Sequence, residues 1–254
     1  MNFFGAIFNF QDITLIAVVA AQSTLLAYLH NPKWKAFLLT IPLPSTFAIL
    51  SVGRPIDITN ITGLLLLFFY THGVRILNWR FKIPIVPAIA VSAMAYCFIG
   101  AFLAKILPET ETAFWAMSAF VLAIALLFDW ILPPRNEPGH RSQLPVGVKL
   151  LIIVSVMVGL IVIKKQLTGF MTVFPMVGII AGYECRHSLW TICRQIPVCM
   201  IAVLPMFLIM RLTQPFLGYA WSLVPGWIVF LAVLILINPL DKLNIKKQQE
   251  KTVC

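Results

Sequence analysis

Charge is what this sequence has least of. Asp, Glu, Lys and Arg together make up 11% of its 254 residues, whereas 60% are apolar and the mean hydropathy is +0.93. Soluble domains carry about 25% charged residues, so the composition excludes most cytosolic enzymes and secreted modules and implies a membrane protein. Acidic residues are the scarcer sign, 9 against 19 basic ones. In a membrane chain such an excess marks cytoplasmic loops, and no nucleic-acid partner is expected. The five cysteines (Cys97, Cys185, Cys193, Cys199 and Cys254) contain no C-x-x-C, and four lie in or beside apolar runs, which argues against a disulfide framework or a zinc site. H-E-x-x-H, G-x-S-x-G, G-x-x-x-x-G-K-[ST] and any His pair at i, i+4 are all missing, and His30, His72, His140 and His187 fall on different segments or loops. A non-enzyme without cofactor or metal is therefore expected. A basic leader is lacking too, because residues 1–22 contain only Asp12 as a charge, so the first apolar run does not read as a cleaved signal peptide.

What is present is a series of apolar runs. Nine are of transmembrane length, over 13–29, 36–52, 58–77, 85–107, 113–132, 148–163, 168–183, 189–212 and 215–237, since about 20 residues at 1.5 Å rise cross the hydrocarbon core. The breaks between them carry Asn31-Pro32, Arg54-Pro55, Pro108-Glu109, the polar stretch 133–145, Lys164-Lys165 and Thr213 to Pro215. If all nine span with the N-terminus outside, the cytoplasmic side receives 14 of the 19 basic residues and the outer side keeps Arg54, Lys105, Lys164, Lys165 and Arg211. Removing the fifth span changes the split to 8 inside and 11 outside. Charge bias therefore selects nine spans with the N-terminus outside and the C-terminus in the cytoplasm. Phe3, Phe4, Ile7, Phe8 and Phe10 suggest a short interfacial helix over 1–10, and Lys246-Lys247 in the basic tail reads as a topology anchor.

Runs 1–4 and 6–9 share one rhythm: a helix, a basic break, a short proline-containing helix, a polar break, a long helix and a last helix opening near a proline. The second members align as Leu39-Thr40-Ile41-Pro42-Leu43-Pro44 with Met171-Thr172-Val173-Phe174-Pro175, Pro44 opposite Pro175. The fifth run intervenes, so the halves are inverted. The expected fold is an all-α integral membrane protein of about nine transmembrane helices, two four-helix inverted repeats joined by a linking helix. Its divisions are 1–110 (first repeat), 111–146 (linking helix and polar cytoplasmic loop), 147–238 (second repeat) and 239–254 (basic tail).

Residues 149–237 carry Lys149-Leu150-Leu151 opening a helix, Phe174-Pro175 in the next, Ala181 and Tyr183 at its end, Thr191 starting the third and Pro205 within it. In these features the C-terminal half resembles the GlpM-like family of small four-helix inner-membrane proteins. This chain is about twice as long, its N-terminal half reading as a diverged copy. The resemblance implies a fold and a membrane and supplies no substrate.

Ionisable groups within spans are costly and invite a functional reading. Asp129 has a depth similar to His72 and Arg75, which suggests either an Asp129–Arg75 ion pair or a proton-coupling group of these three. Arg194 reads as a snorkelling anchor, and Tyr183, Glu184, Arg186 and His187 as a solvated loop. Gln22, Ser23 and Thr24 fall near mid-membrane, where they bond neighbouring helices or a ligand. Six of the tryptophans, including Trp79, Trp190 and Trp227, sit near span ends as an aromatic belt. Runs 2 and 7 are short and proline-interrupted at corresponding places, the best sequence pointer to a transporter site. The candidate substrate-binding residues are thus Thr40, Pro44, Ser45 and Thr46 facing Thr172, Pro175 and Gly178, against the alternative of two kinks that merely improve packing.

Two functions fit: a small secondary transporter or channel-like protein with a site between inverted halves, taking a small molecule or ion, or a non-enzymatic accessory or assembly protein. The bilayer is the expected partner in both. A second copy or another membrane protein is the further partner the second would need.

Overall fold

The computed structural model describes residues 9–135, 137–140, 142 and 144–237. The tail from 239 and all but the end of the 1–10 interfacial helix lie outside this range. Among the described residues every regular element is helical: α1 Phe10–Tyr28, α2 Pro32–Thr40, α3 Leu43–Val52, α4 Ile58–Trp79, α5 Ile85–Ile106, α6 Glu111–Ile131, α7 Val146–Val162, α8 Lys164–Leu167, α9 Phe170–Val173, α10 Met176–Glu184, α11 Leu189–Trp221 and α12 Leu223–Ile237.

Helix starts follow local chemistry. The Asn31 side chain accepts from Lys33 N at 2.9 Å, with Pro32 in the first turn of α2 where its missing N–H is not needed. Asp57 accepts from Thr59 N at 2.8 Å and Asn60 accepts in return from Asp57 N at 2.9 Å, a reciprocal cap that opens α4.

Among the described residues six stretches are long and apolar enough to cross a membrane: α1, α2 with α3, α4, α5, α6 and α11. The chain is therefore an all-helical, multi-pass membrane protein. Two stretches expected to span are shorter, α7 with 17 residues and α9 with α10 below 18, and α12 has fewer than 18 residues within the described range. The second run is not one helix, because α2 ends at Thr40 and α3 begins at Leu43. The seventh breaks likewise between α9 and α10. Pro42 and Pro175 occupy the same position in the two breaks, each the residue just before the following helix. Pro44, which the sequence sets opposite Pro175, lies inside the first turn of α3, where proline is tolerated.

The junction of the last two runs also moves. α11 continues through Pro215, Thr213 Oγ1 donating to the Ile209 carbonyl at 2.8 Å, and the chain turns at Gly218, whose φ of 74° glycine alone adopts without strain. Proline's φ is already helical, so Pro215 by itself does not force the turn expected there.

α4 and α11 form the centre. α4 packs against α5, α6, α9 and α11, and α11 also against α2 and α6. One core gathers α1, α4, α5, α7, α9 and α10 around Leu15, Tyr70, Phe170 and Phe174, and another gathers α3, α4, α6, α11 and α12 around Phe68, Phe114, Phe207 and Phe230. The outward faces of α5 and α6 carry Phe98, Phe102 and Trp130, largely exposed, as a lipid-facing surface requires.

Candidate functional site

The two breaks meet at one cavity of about 90 Å³, lined by Thr40, Ile41, Pro42, Pro44 and Ser45 on one side and by 173–178 and Gly182 on the other. α4 contributes Leu64, Leu67, Tyr70, Thr71 and Val74, α11 contributes residues including Ile196 and Cys199, and α1 contributes Gln22. Of the seven candidate residues the structure brings together Thr40, Pro44, Ser45, Pro175 and Gly178. Thr46 and Thr172 sit apart. Thr46 Oγ1 accepts from the Trp227 indole N–H at 2.9 Å, a use of that tryptophan that a surface belt does not anticipate. Thr172 Oγ1 donates to the Gly169 carbonyl and accepts from Asn60 Nδ2 at 2.8 Å.

Each break frees backbone groups that must find partners in a dry interior. Pro42 has no N–H for the Leu38 carbonyl four residues earlier. Gln22 Nε2 supplies the donor, at 2.7 Å. In the second break Phe174 N turns to the Met171 carbonyl, and the Phe170 carbonyl it leaves accepts from the Tyr96 hydroxyl at 2.9 Å. Just upstream, Gly169 N donates to Thr59 Oγ1 at 3.0 Å. A Cβ at Gly169 would collide with Thr59 and Asn60, so only glycine lets the turn approach the start of α4 this closely. Both breaks are thus held open by side chains of a neighbouring helix.

Two buried polar atoms on cavity-lining residues have no hydrogen-bond partner, Gln22 Oε1 and the Tyr70 hydroxyl. No described Asp, Glu, Lys, Arg or His lines the cavity.

Charge gathers instead at the two ends of the bundle. At one end Glu184, fully buried, accepts from Lys149 Nζ at 2.7 Å, with Lys35 Nζ 3.6 Å away, and from Ser142 N and Oγ at 3.1 and 2.6 Å. Lys35 also donates to the His140 carbonyl at 2.8 Å. Burial pushes the Glu184 carboxyl up, but the Lys149 and Ser142 hydrogen bonds outweigh it and hold it below the ordinary carboxylate range. The solvated loop expected at 183–187 is accordingly corrected for Glu184. At the other end Lys164 Nζ donates to both Asp12 oxygens at 2.7 and 2.8 Å, and Ser51 Oγ also bonds Asp12. Arg211 pairs with Glu111 there and donates to the Ile56 carbonyl at 2.7 Å. α1 and α7 are in contact and run antiparallel, since Lys164 just past the end of α7 meets Asp12 at the start of α1.

His72, Arg75 and Asp129 lie outside the cavity. His72 stacks on Phe68 at 4.0 Å between ring centroids, and Asp129 is half-buried on α6. The Arg75 guanidinium packs over Trp190 at 4.4 Å, and Arg135 lies over the same ring at 4.1 Å. Glu137 accepts from the Trp190 and Thr191 amides, capping α11 from the 133–145 loop. Among the described residues no cluster of three or more His, Cys, Asp or Glu is disposed to hold a metal ion.

The charged ends were not singled out as sites in the sequence. The one available signal is isolation, and it holds for Asp12 alone, the single charge in the first 22 residues. No protein-family model, curated protein or solved structure matches the chain.

Proposed function

We propose that this protein is a small secondary transporter or channel-like protein of a cytoplasmic membrane, with its site between two inverted halves, α1–α5 and α7–α12. The observation that carries the reading is a cavity lined by both proline-broken helices. Non-helical backbone at membrane depth is tolerated where protein buries it or it lines a cavity, and discontinuous helices at repeat interfaces are the usual sites of secondary transporters.

The pattern of contacts supports the inversion. If α1 corresponds to α7, α2 to α8 and α9, α3 to α10, α4 to α11 and α5 to α12, then several contacts have counterparts. α4 against α9 is matched by α11 against α2, and α1 against α3 by α7 against α10. Gly182 of α10 under Ile89 of α5 is matched by Thr46 of α3 bonded to Trp227 of α12. The charged ends obey the same exchange. Lys149, Glu184 and Lys35 come from α7, α10 and α2, while Asp12, Ser51 and Lys164 come from α1, α3 and α8. Each cluster therefore ties one half to the other at one end of the cavity, and opening one while the other stays closed would give alternating access. The 14-to-5 distribution of basic residues supports assigning the Glu184 end to the cytoplasm.

The test is cysteine accessibility. With native cysteines replaced, Ser45→Cys in proteoliposomes is expected to react with a membrane-impermeant maleimide added from one face and to be protected when that face's ion cluster is cross-linked. Absence of reaction from both faces would overturn the reading in favour of an accessory protein with a solid core.

A further inference from the structure

We infer that the species held between the two breaks is an uncharged, mostly apolar small molecule carrying at least one hydroxyl or N–H donor, bound by Gln22 Oε1 and the Tyr70 hydroxyl. This deepens the transport reading and rests on it. Three observations converge. The lining is apolar apart from a few uncharged polar side chains, and no described ionised group reaches it. An ion placed there would give up its hydration without a counter-charge, the most expensive form of polar burial. The Gln22 amide is oriented by its donation to the Leu38 carbonyl, so the NH2 group is committed and its oxygen is the half left over. That oxygen is only an acceptor, and what it lacks is a donor.

The Tyr70 hydroxyl is the second unmatched group, on α4 across from the first break. Tyr70 and Gln22 are each 5% exposed. A buried polar atom left unpaired keeps its full desolvation penalty, so a ligand that satisfies both is favoured over a pure hydrocarbon of the same shape. Thr40 and Thr71 are already partnered, their hydroxyls donating to the Phe37 and Leu67 carbonyls at 2.6 and 2.9 Å, and their oxygens offer only further acceptors for the ligand's donor. The cavity volume of about 90 Å³ is smaller than the roughly 150 Å³ of an apolar cavity that admits benzene, so a single aromatic ring is the upper limit and enters only as the lining gives way.

The experiment uses the full chain with native cysteines replaced and Ser45→Cys introduced, reconstituted in nanodiscs, and follows the rate of maleimide reaction. The probes are phenol (neutral with a donor), toluene (neutral without one), benzoate and benzylammonium. Phenol is expected to protect saturably. Adding Tyr70→Phe is expected to weaken that protection about tenfold, the equivalent of roughly 1.4 kcal/mol, and to leave the weaker toluene protection unchanged. Gln22→Leu also weakens phenol, but it frees the Leu38 carbonyl, so Tyr70→Phe is the cleaner reporter. Stronger protection by benzoate or benzylammonium, equal protection by toluene, or no phenol protection of a reactive cysteine overturns the inference alone. A cysteine unreactive from both faces overturns the transport reading, and the inference with it.

Discussion

Gln22 stands in for the backbone donor that Pro42 lacks, its Nε2 lying 2.7 Å from the Leu38 carbonyl. A side chain on α1 thereby stabilises a gap between α2 and α3 that would otherwise leave a buried acceptor unpaired. Gln22→Leu is expected to lower stability by about 1 to 3 kcal/mol, measured by thermal unfolding in detergent. Combined with Pro42→Ala, which restores an N–H four residues after Leu38, it is expected to cost less than the sum of the single changes. Strict additivity would remove the link.

Glu184 neutralises two lysines in a buried pocket. Glu184→Gln is expected to destabilise by about 3 to 5 kcal/mol at neutral pH, because Lys149 and Lys35 are left without a counter-charge. Pairing it with Lys149→Met should recover part of that loss.

The Glu184 cluster also sets a pH dependence. Its carboxyl is held below the ordinary range in the folded protein, so its contribution is fully present above the unfolded value of about 4.3 and fades as pH falls through and below it. The stability difference between the native chain and Glu184→Gln should therefore shrink on acidification below about pH 4. A difference that stays constant or widens contradicts the assignment.

At the opposite end, Lys164→Met leaves Asp12 with Ser51 as its remaining side-chain partner. The expected result is a loss of stability together with faster labelling of Ser45→Cys from that face, since α8 is released from α1. Equal labelling rates would mean that the cluster does not gate.

The inverted orientation makes its own prediction. Gln166 and Lys33 are both exposed, one near the Asp12 end and one near the Glu184 end. Cysteine at Gln166 should react with an impermeant reagent from outside intact cells and cysteine at Lys33 should not. The reverse pattern contradicts the charge-bias topology.

The membrane class, the apolar runs and the two proline-interrupted segments were legible in the sequence because they depend on local composition. Transfer of apolar side chains out of water, and the missing N–H of proline, act wherever those residues occur. What the sequence could not reveal was which carbonyl Gln22 meets, that Pro42 rather than Pro44 stands just before the helix after the first break, or that Glu184 lies buried between Lys35 and Lys149 instead of in a solvated loop. The same holds for Arg75, whose guanidinium packs on Trp190. These are pairings between helices that hydropathy does not encode, because an apolar helix can rotate about its axis, or shift along it, with little change in burial. The tertiary structure decided them through requirements that only packed neighbours can meet: a partner for each freed backbone group, a counter-charge for each buried ion, and a glycine where α9 approaches α4.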